Sequence, residues 1–150
     1  MKVDVSGTNG RGIKKLLDSV SKDGFVKVGI LSGTGKHENS DLTVAEIGFT
    51  HEFGKLFFPE RSFILSTIQD KSREIKAVSS SEIKKILHGK SNTKIGLGIL
   101  GSFTAGLIQE KFTINDWQPN SLKTQKKKGS SMPLIDTGQL RSSISYRVII

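Results

Sequence analysis

His37, His51 and His88 are the only imidazoles in the chain, and none falls in an H-x-x-x-H or H-E-x-x-H spacing that would put two ring nitrogens on one helix face. A metal site is therefore not expected. His51 and Glu52 come nearest to a base–acid pair, but neighbours on a helix point about 100° apart and do not converge. The run Gly29 to Gly35, G-I-L-S-G-T-G, invites comparison with a phosphate loop, since glycine amides at a helix start can cradle phosphate. It lacks the G-K-[ST] ending, and Lys36 is followed by His37. Serines are plentiful but none sits in a G-x-S-x-G elbow. With no cysteine there is neither a disulfide nor a thiolate ligand. The expectation is a protein that is not an enzyme and that carries no cofactor or metal.

Charge is the remaining chemistry. The formal net charge is +9, spread over Lys14-Lys15, Lys84-Lys85, Lys94, Lys111 and Lys126-Lys127-Lys128. Positive charge attracts nucleic acid, anionic membranes and acidic proteins alike. A groove for bases would interleave aromatics among the lysines, and the triple-lysine run contains none. Lys126, Lys127 and Lys128, followed by Gly129-Ser130-Ser131, suit non-specific contact with a phosphate backbone rather than sequence reading. A chain of 150 residues is one domain's worth and can bury a core. No apolar run approaches the roughly 20 residues that cross a bilayer. The stretch Met1 to Ser6 lacks the apolar core of a secretion signal, so folding in a cytoplasm is expected.

The elements that must carry these residues follow from spacing. Ile13, Leu16, Leu17 and Val20 form an i, i+3, i+4, i+7 stripe, predicting a helix from Gly12 to about Asp23-Gly24. Val26, Val28 and Ile30 alternate with Lys27 and Gly29, predicting a strand over 25–31. Residues 32–42 read as a flexible loop. Thr43-Val44-Ala45-Glu46 has the capping-box form, opening a helix over 44–53 that Gly54 stops. Phe57, Phe58 and Phe63 flank Pro59 and read as core anchors, and helical spacing resumes from Ile64 through Ile68 and Ile75 to a stop near Gly89. After Ser91-Asn92, the apolar residues Ile95, Ile99, Phe103, Leu107 and Ile108 trace a helix interrupted by Gly96, Gly98, Gly101 and Gly106. Each glycine there costs up to about 1 kcal/mol relative to alanine, so either close packing or flexibility must account for them. Asp136 and Thr137 are N-cap types, predicting a helical turn that starts near Thr137, and Ser143 to Val148 alternates as a strand with Ile144, Tyr146 and Val148 on one face. The fold class expected is α+β: one domain over 1–150, with a small, mainly antiparallel sheet and helices packed on one face. The sheet is built from strands near 25–31 and 143–150 and one or two more.

Taken in order, Val28-Gly29-Ile30, Ala45-Glu46-Ile47-Gly48, His51-Glu52-Phe53-Gly54, Pro59-Glu60-Arg61-Ser62-Phe63-Ile64 and the string Trp117 to Val148 resemble the tail-completion and virion-morphogenesis proteins of tailed phages, the neck and tail-terminator type. The chain departs from that pattern at Ser62, where the family usually has proline, which implies a less rigid entry to the following helix. The resemblance implies a structural virion protein in a homo-oligomeric ring, a hexamer in the family. It would act in tail completion, tail termination or head–tail joining at the neck. Its partners would be the tail tube protein and the head connector or head-completion protein, with DNA passing through the lumen; assembly would take place in the host cytoplasm, and no membrane is involved. Glu52, Phe53, Gly54, Pro59, Arg61, Phe63, Asp136, Thr137, Gly138, Leu140, Ser143 and Ile144 then serve the fold. Lys126, Lys127, Lys128 and Arg141 are the candidates for partner contact. On this reading Trp117 to Met132 includes a mobile contact loop over 118–132, and Pro133 to Val148 completes the core. The competing reading is a small basic protein that binds nucleic acid non-specifically.

Overall fold

The computed structural model describes residues 12, 14, 17, 18, 23–31, 33–38, 41–55, 59–114, 117, 119, 122, 125, 126 and 138–150. Its elements run β1 (Phe25–Ile30), α1 (Val44–Phe53), α2 (Leu65–Asp70), α3 (Ser72–Leu87), α4 (Thr93–Ile114), α5 (Gln139–Ser142) and β2 (Ile144–Ile149). β1 and β2 pair antiparallel from Phe25↔Ile149 to Ile30↔Ile144. This is the α+β class expected, an antiparallel sheet packed against helices. Among the described residues the sheet has two strands, not the three or four anticipated. No helix among them is long and apolar enough to cross a membrane.

Alternation places Val26, Val28 and Ile30 on the same face as Ile144, Tyr146 and Val148, and α4 crosses this face. Gly101 makes that crossing possible: a Cβ there would lie 2.6 Å from both the Tyr146 ring and Val26. Gly96 plays the same part toward α3, where a Cβ would come within 3.0 Å of Ile86. Gly98 and Gly106 would meet nothing within 4 Å. Close packing thus accounts for two of the four helix glycines. The core joins Val44, Phe63, Ala105, Ile108, Phe112, Leu140 and Ile144. The Phe63 and Phe112 rings meet tilted at 57° with centroids 5.0 Å apart, and Trp117 meets Phe112 edge-on at 5.9 Å.

Several expectations need correction. Helical spacing does run from Ile64 to Leu87, but the helix bends at Lys71 (φ −98°, ψ 13°), separating α2 from α3. Helical bonding continues across the bend, with Lys71 N donating to Thr67 O at 2.9 Å and Ile75 N to Lys71 O at 3.0 Å. The described part of the segment 32–42 makes several backbone contacts. Lys36 bridges to Thr43, His37 N donates to Leu42 O at 3.0 Å, and Gln139 clamps the segment from the far end of the chain. The Gln139 Oε1 accepts from Glu38 N at 3.1 Å, and its Nε2 donates to Lys36 O at 3.2 Å. In the segment 118–132, Leu122, Gln125 and Lys126 are helical, in keeping with the good helix propensity of Leu, Gln and Lys.

The last helical turn begins at Gln139, not Thr137. Gly138 caps it at φ 75°, a left-handed conformation that glycine tolerates and that offers no side-chain bond; Asp136 and Thr137 lie outside the described residues. Ser143 caps the end of α5 instead of starting the strand, its hydroxyl donating to Gln139 O at 2.7 Å. Gly12, Lys14, Leu17 and Asp18 are helical as expected, but Leu17 is exposed; Ile13, Leu16 and Val20 lie outside the described residues.

Candidate functional site

The residues singled out around α1 converge on one structural unit. α1 opens on the capping box read from the sequence: Glu46 N donates to Thr43 Oγ1 at 3.2 Å, and Thr43 N donates to Glu46 Oε2 at 2.8 Å. The Thr43 amide, and after it the Thr43 hydroxyl, hold Glu46 below the usual carboxylate value. The helix ends at Gly54, whose φ of 69° lets the chain turn away. It returns past Pro59 and Glu60, and Arg61 N donates to His51 O at 2.7 Å.

That return places Glu52 under the start of α2. Its side chain is buried, and both oxygens are fully used: Oε1 accepts from Ser62 Oγ and Leu65 N, each at 2.8 Å. Oε2 accepts from Phe63 N at 2.8 Å and Ile64 N at 3.0 Å. The opening amides of a helix have no partner within it and carry partial positive charge, so a carboxylate there is both acceptor and counter-charge. A carboxylate offers about four lone-pair sites, and all four are occupied. Glu52 therefore has no acceptor left to take a proton from a substrate.

Ser62 braces the entry to α2 by hydrogen bonding. Beyond donating to Glu52, its hydroxyl accepts from Ser66 N at 3.1 Å, and its carbonyl accepts from Ser66 Oγ at 2.7 Å. The helix entry is thus braced rather than loosened. Trp117 donates from Nε1 to Ser62 O at 3.3 Å, so this residue belongs to the core and not to a contact loop. Arg61 is buried beside the same turn, and loss of hydration pushes its guanidinium below the ordinary value.

The polar motif residues thus face in, while large apolar ones face out. On α1 the buried side is Val44, Gly48 and Glu52, because Gly48 rests against Ile30, Leu140 and Phe63, and a Cβ there would collide with Ile30. This turns Phe49 and Phe53 outward, 66% and 59% exposed and 4.8 Å apart. With Leu65 and Ile68, also exposed, they border an apolar groove of about 470 Å³ floored by Ile30 and Ile64. A second groove, about 320 Å³, lies between α3 and α4 and is lined by Gly24, Ile83, Ile86, Gly96, Leu97 and Leu100. Asp23 and Glu82 line it too, Glu82 buried and bonded to Lys85.

Of the partner-contact candidates, Lys126 and Arg141 are exposed, and Lys127 and Lys128 lie outside the described residues. Pro59 and Phe53 are exposed, while Phe63, Leu140 and Ile144 belong to the core. Gly29 sits inside β1 and Gly35 O accepts from Val44 N at 3.2 Å, so this glycine run forms a strand and a pinned turn. His37, His51 and His88 sit on separate elements, and among the described residues no three His, Asp or Glu gather as a metal-holding group. The Glu52 cap, the Trp117 anchor and the outward aromatics were missed from sequence; the only signal for the first was a glutamate at a helix end followed closely by Pro59. Comparison with family models, curated proteins and solved structures yields no match.

Proposed function

We propose that this chain is a structural subunit of a tailed-phage virion, working at the neck as a tail-completion, tail-terminator or head–tail joining protein. One observation carries the reading: the charged motif residues Glu52 and Arg61 are buried, Glu52 capping the start of α2, whereas Phe49, Phe53, Leu65 and Ile68 lie on the surface. Apolar surface grouped in this way marks association with protein. The ordered motifs of the sequence point to the same family. Its partners are further copies in a ring, a hexamer by the resemblance, together with the tail tube and the head connector, and its place is the virion neck after assembly in the host cytoplasm. The test is inactivation of the gene in the phage: filled heads unjoined to tails, or tails of abnormal length, are expected. Virions of normal form would overturn the reading.

A second reading, a non-specific nucleic-acid binder, is favoured by Lys84, Lys85, Lys90 and Lys94, all exposed around the α3–α4 turn. Its test is salt dependence, because each neutralised phosphate contributes about −0.9 to the slope of log affinity against log salt on duplex DNA. Affinity for duplex DNA that does not fall with salt would remove it.

A further inference from the structure

We infer that the outer face of the β1–β2 ribbon binds single-stranded DNA, with a base stacked on Phe25 and the adjoining phosphate held between Lys27 and Arg147. The inference goes beyond the neck reading and does not rest on it.

The register of the sheet brings together residues that lie at opposite ends of the sequence. Val26, Val28 and Ile30 face α4 with their partners, so alternation turns Phe25, Lys27, Arg147 and Ile149 to the other side. There Phe25 lies opposite Ile149, and Lys27 lies opposite Arg147. Phe25 is 52% exposed, and both cations are exposed as well. Farther along the ribbon Gly29 is buried and Ser145 half-buried, so the open part of this face is the end bearing those two pairs.

Two like charges directly opposite on a sheet, with Cβ atoms about 4.5–5.5 Å apart, destabilise it. Among the described residues neither Lys27 nor Arg147 forms an ion pair. Lys27 instead reaches over the Phe25 ring, its Nζ 5.7 Å from the centroid. Asp23, two residues before Phe25, lines the groove between α3 and α4. The cation pair therefore lacks a counter-charge that a phosphate would supply, and both side chains can donate charge-assisted hydrogen bonds to its oxygens.

The aromatic beside the pair selects the anion. Successive rows on one face of a strand are about 7 Å apart, the reach from a base to the phosphate next to it. Aromatic stacking beside a basic track holds single strands without reading their sequence. A duplex keeps its bases stacked on one another, and an acidic peptide would leave Phe25 unused. None of the four side chains accepts a hydrogen bond, so nothing here rewards the 2′-hydroxyl of RNA. A Cβ at Gly24 would lie 3.4 Å from both Thr93 and Ile149 O, so the start of α4, with exposed Lys94, adjoins the Phe25–Ile149 end and extends the basic track.

The test is fluorescence anisotropy of labelled oligo(dT) titrated with the full chain at several salt concentrations. Its variants are K27A/R147A, F25A, R147E and K84A/K90A, each checked for folding by circular dichroism. The wild type is expected to bind. K27A/R147A should weaken binding about tenfold and flatten the slope of log affinity against log salt by about 0.7, the share of one phosphate on a single strand. F25A should weaken it about tenfold with the slope unchanged, because stacking carries no charge. R147E should bind worst, yet unfold at no lower a temperature than wild type, because it sets a carboxylate opposite Lys27. K84A/K90A, on the α3–α4 turn, should bind nearly as the wild type does. The inference is overturned if the wild type does not bind, if K27A/R147A binds as tightly as wild type, or if K84A/K90A loses as much as K27A/R147A. It also falls if a DNA duplex or oligo(rU) binds more tightly than oligo(dT), or if polyglutamate displaces oligo(dT) as well as unlabelled oligo(dT) does, the mark of a face that docks acidic protein. None of these outcomes touches the neck reading, whose failure shows in the form of the virions.

Discussion

Replacing Glu52 by glutamine removes one of two oxygens that between them accept four hydrogen bonds at the start of α2. The least costly arrangement keeps the amide oxygen on Phe63 N and Ile64 N and turns the new NH₂ toward Ser62, whose hydroxyl can rotate to accept. Leu65 N then faces a donor and loses its acceptor, at about 1–3 kcal/mol. The two bonds that remain change from charge-assisted to neutral, about 1 kcal/mol each. The total is roughly 3–5 kcal/mol, a large share of the ~5–15 kcal/mol that holds a domain of this kind. At about 2–4 °C per kcal/mol for a chain of this length, the unfolding midpoint should fall by roughly 6–20 °C. Urea titration followed by circular dichroism measures the loss directly, with an unchanged m-value showing that stability alone has moved. A loss below about 1 kcal/mol would refute the claim that this carboxylate braces the helix.

Gly101→Ala should cost about 1–3 kcal/mol by overpacking against Tyr146 and Val26, whereas Gly98→Ala and Gly106→Ala should gain up to about 1 kcal/mol from helix propensity; thermal unfolding separates the two groups. Glu46 is held below its ordinary value of 4.5, so its contribution is present above that value and is lost as pH falls through its lower folded value. The stability difference between wild type and Glu46→Ala should accordingly hold from neutral pH to the ordinary carboxylate range and shrink only below it. A difference that vanished well above that range would contradict the capping geometry. Ile144→Asp places an unpaired carboxylate at a position only 3% exposed, and the chain should be unfolded at 25 °C by near-UV circular dichroism.

The elements that could be read from sequence were those whose signals are local. Thr43 and Glu46 are three residues apart and bond as their types require, and the alternations at Val26–Ile30 and Ile144–Val148 became the paired strands. The orientation of α1 was not legible, because Val44, Ala45, Ile47, Phe49 and Phe53 leave apolar residues on several sides of the helix. Which side faces in was decided by Gly48, whose bare backbone lets α1 approach Ile30 and Phe63. Glu52 was likewise hidden: its partners lie 10 to 13 residues away, and only the reversal at Gly54 and the return at Arg61 bring them under its carboxylate. Ser62 looked like a loss when compared with proline, yet a hydroxyl supplies bonds that a ring cannot.

The register of the sheet also governs how the chain can fold. The strand partners Ile30↔Ile144 and Phe25↔Ile149 are separated by nearly the whole sequence, whereas α3 and α4 are joined by a short turn. Closing so long a loop carries an entropy that contacts within it must first offset, and distant pairings slow folding. During synthesis at ~5–20 residues per second, the α3–α4 hairpin is complete while β2 is still unmade. Until β2 arrives, the Gly101 side of α4 lacks half its cover, leaving the nascent chain with an open apolar seam that the last strand seals.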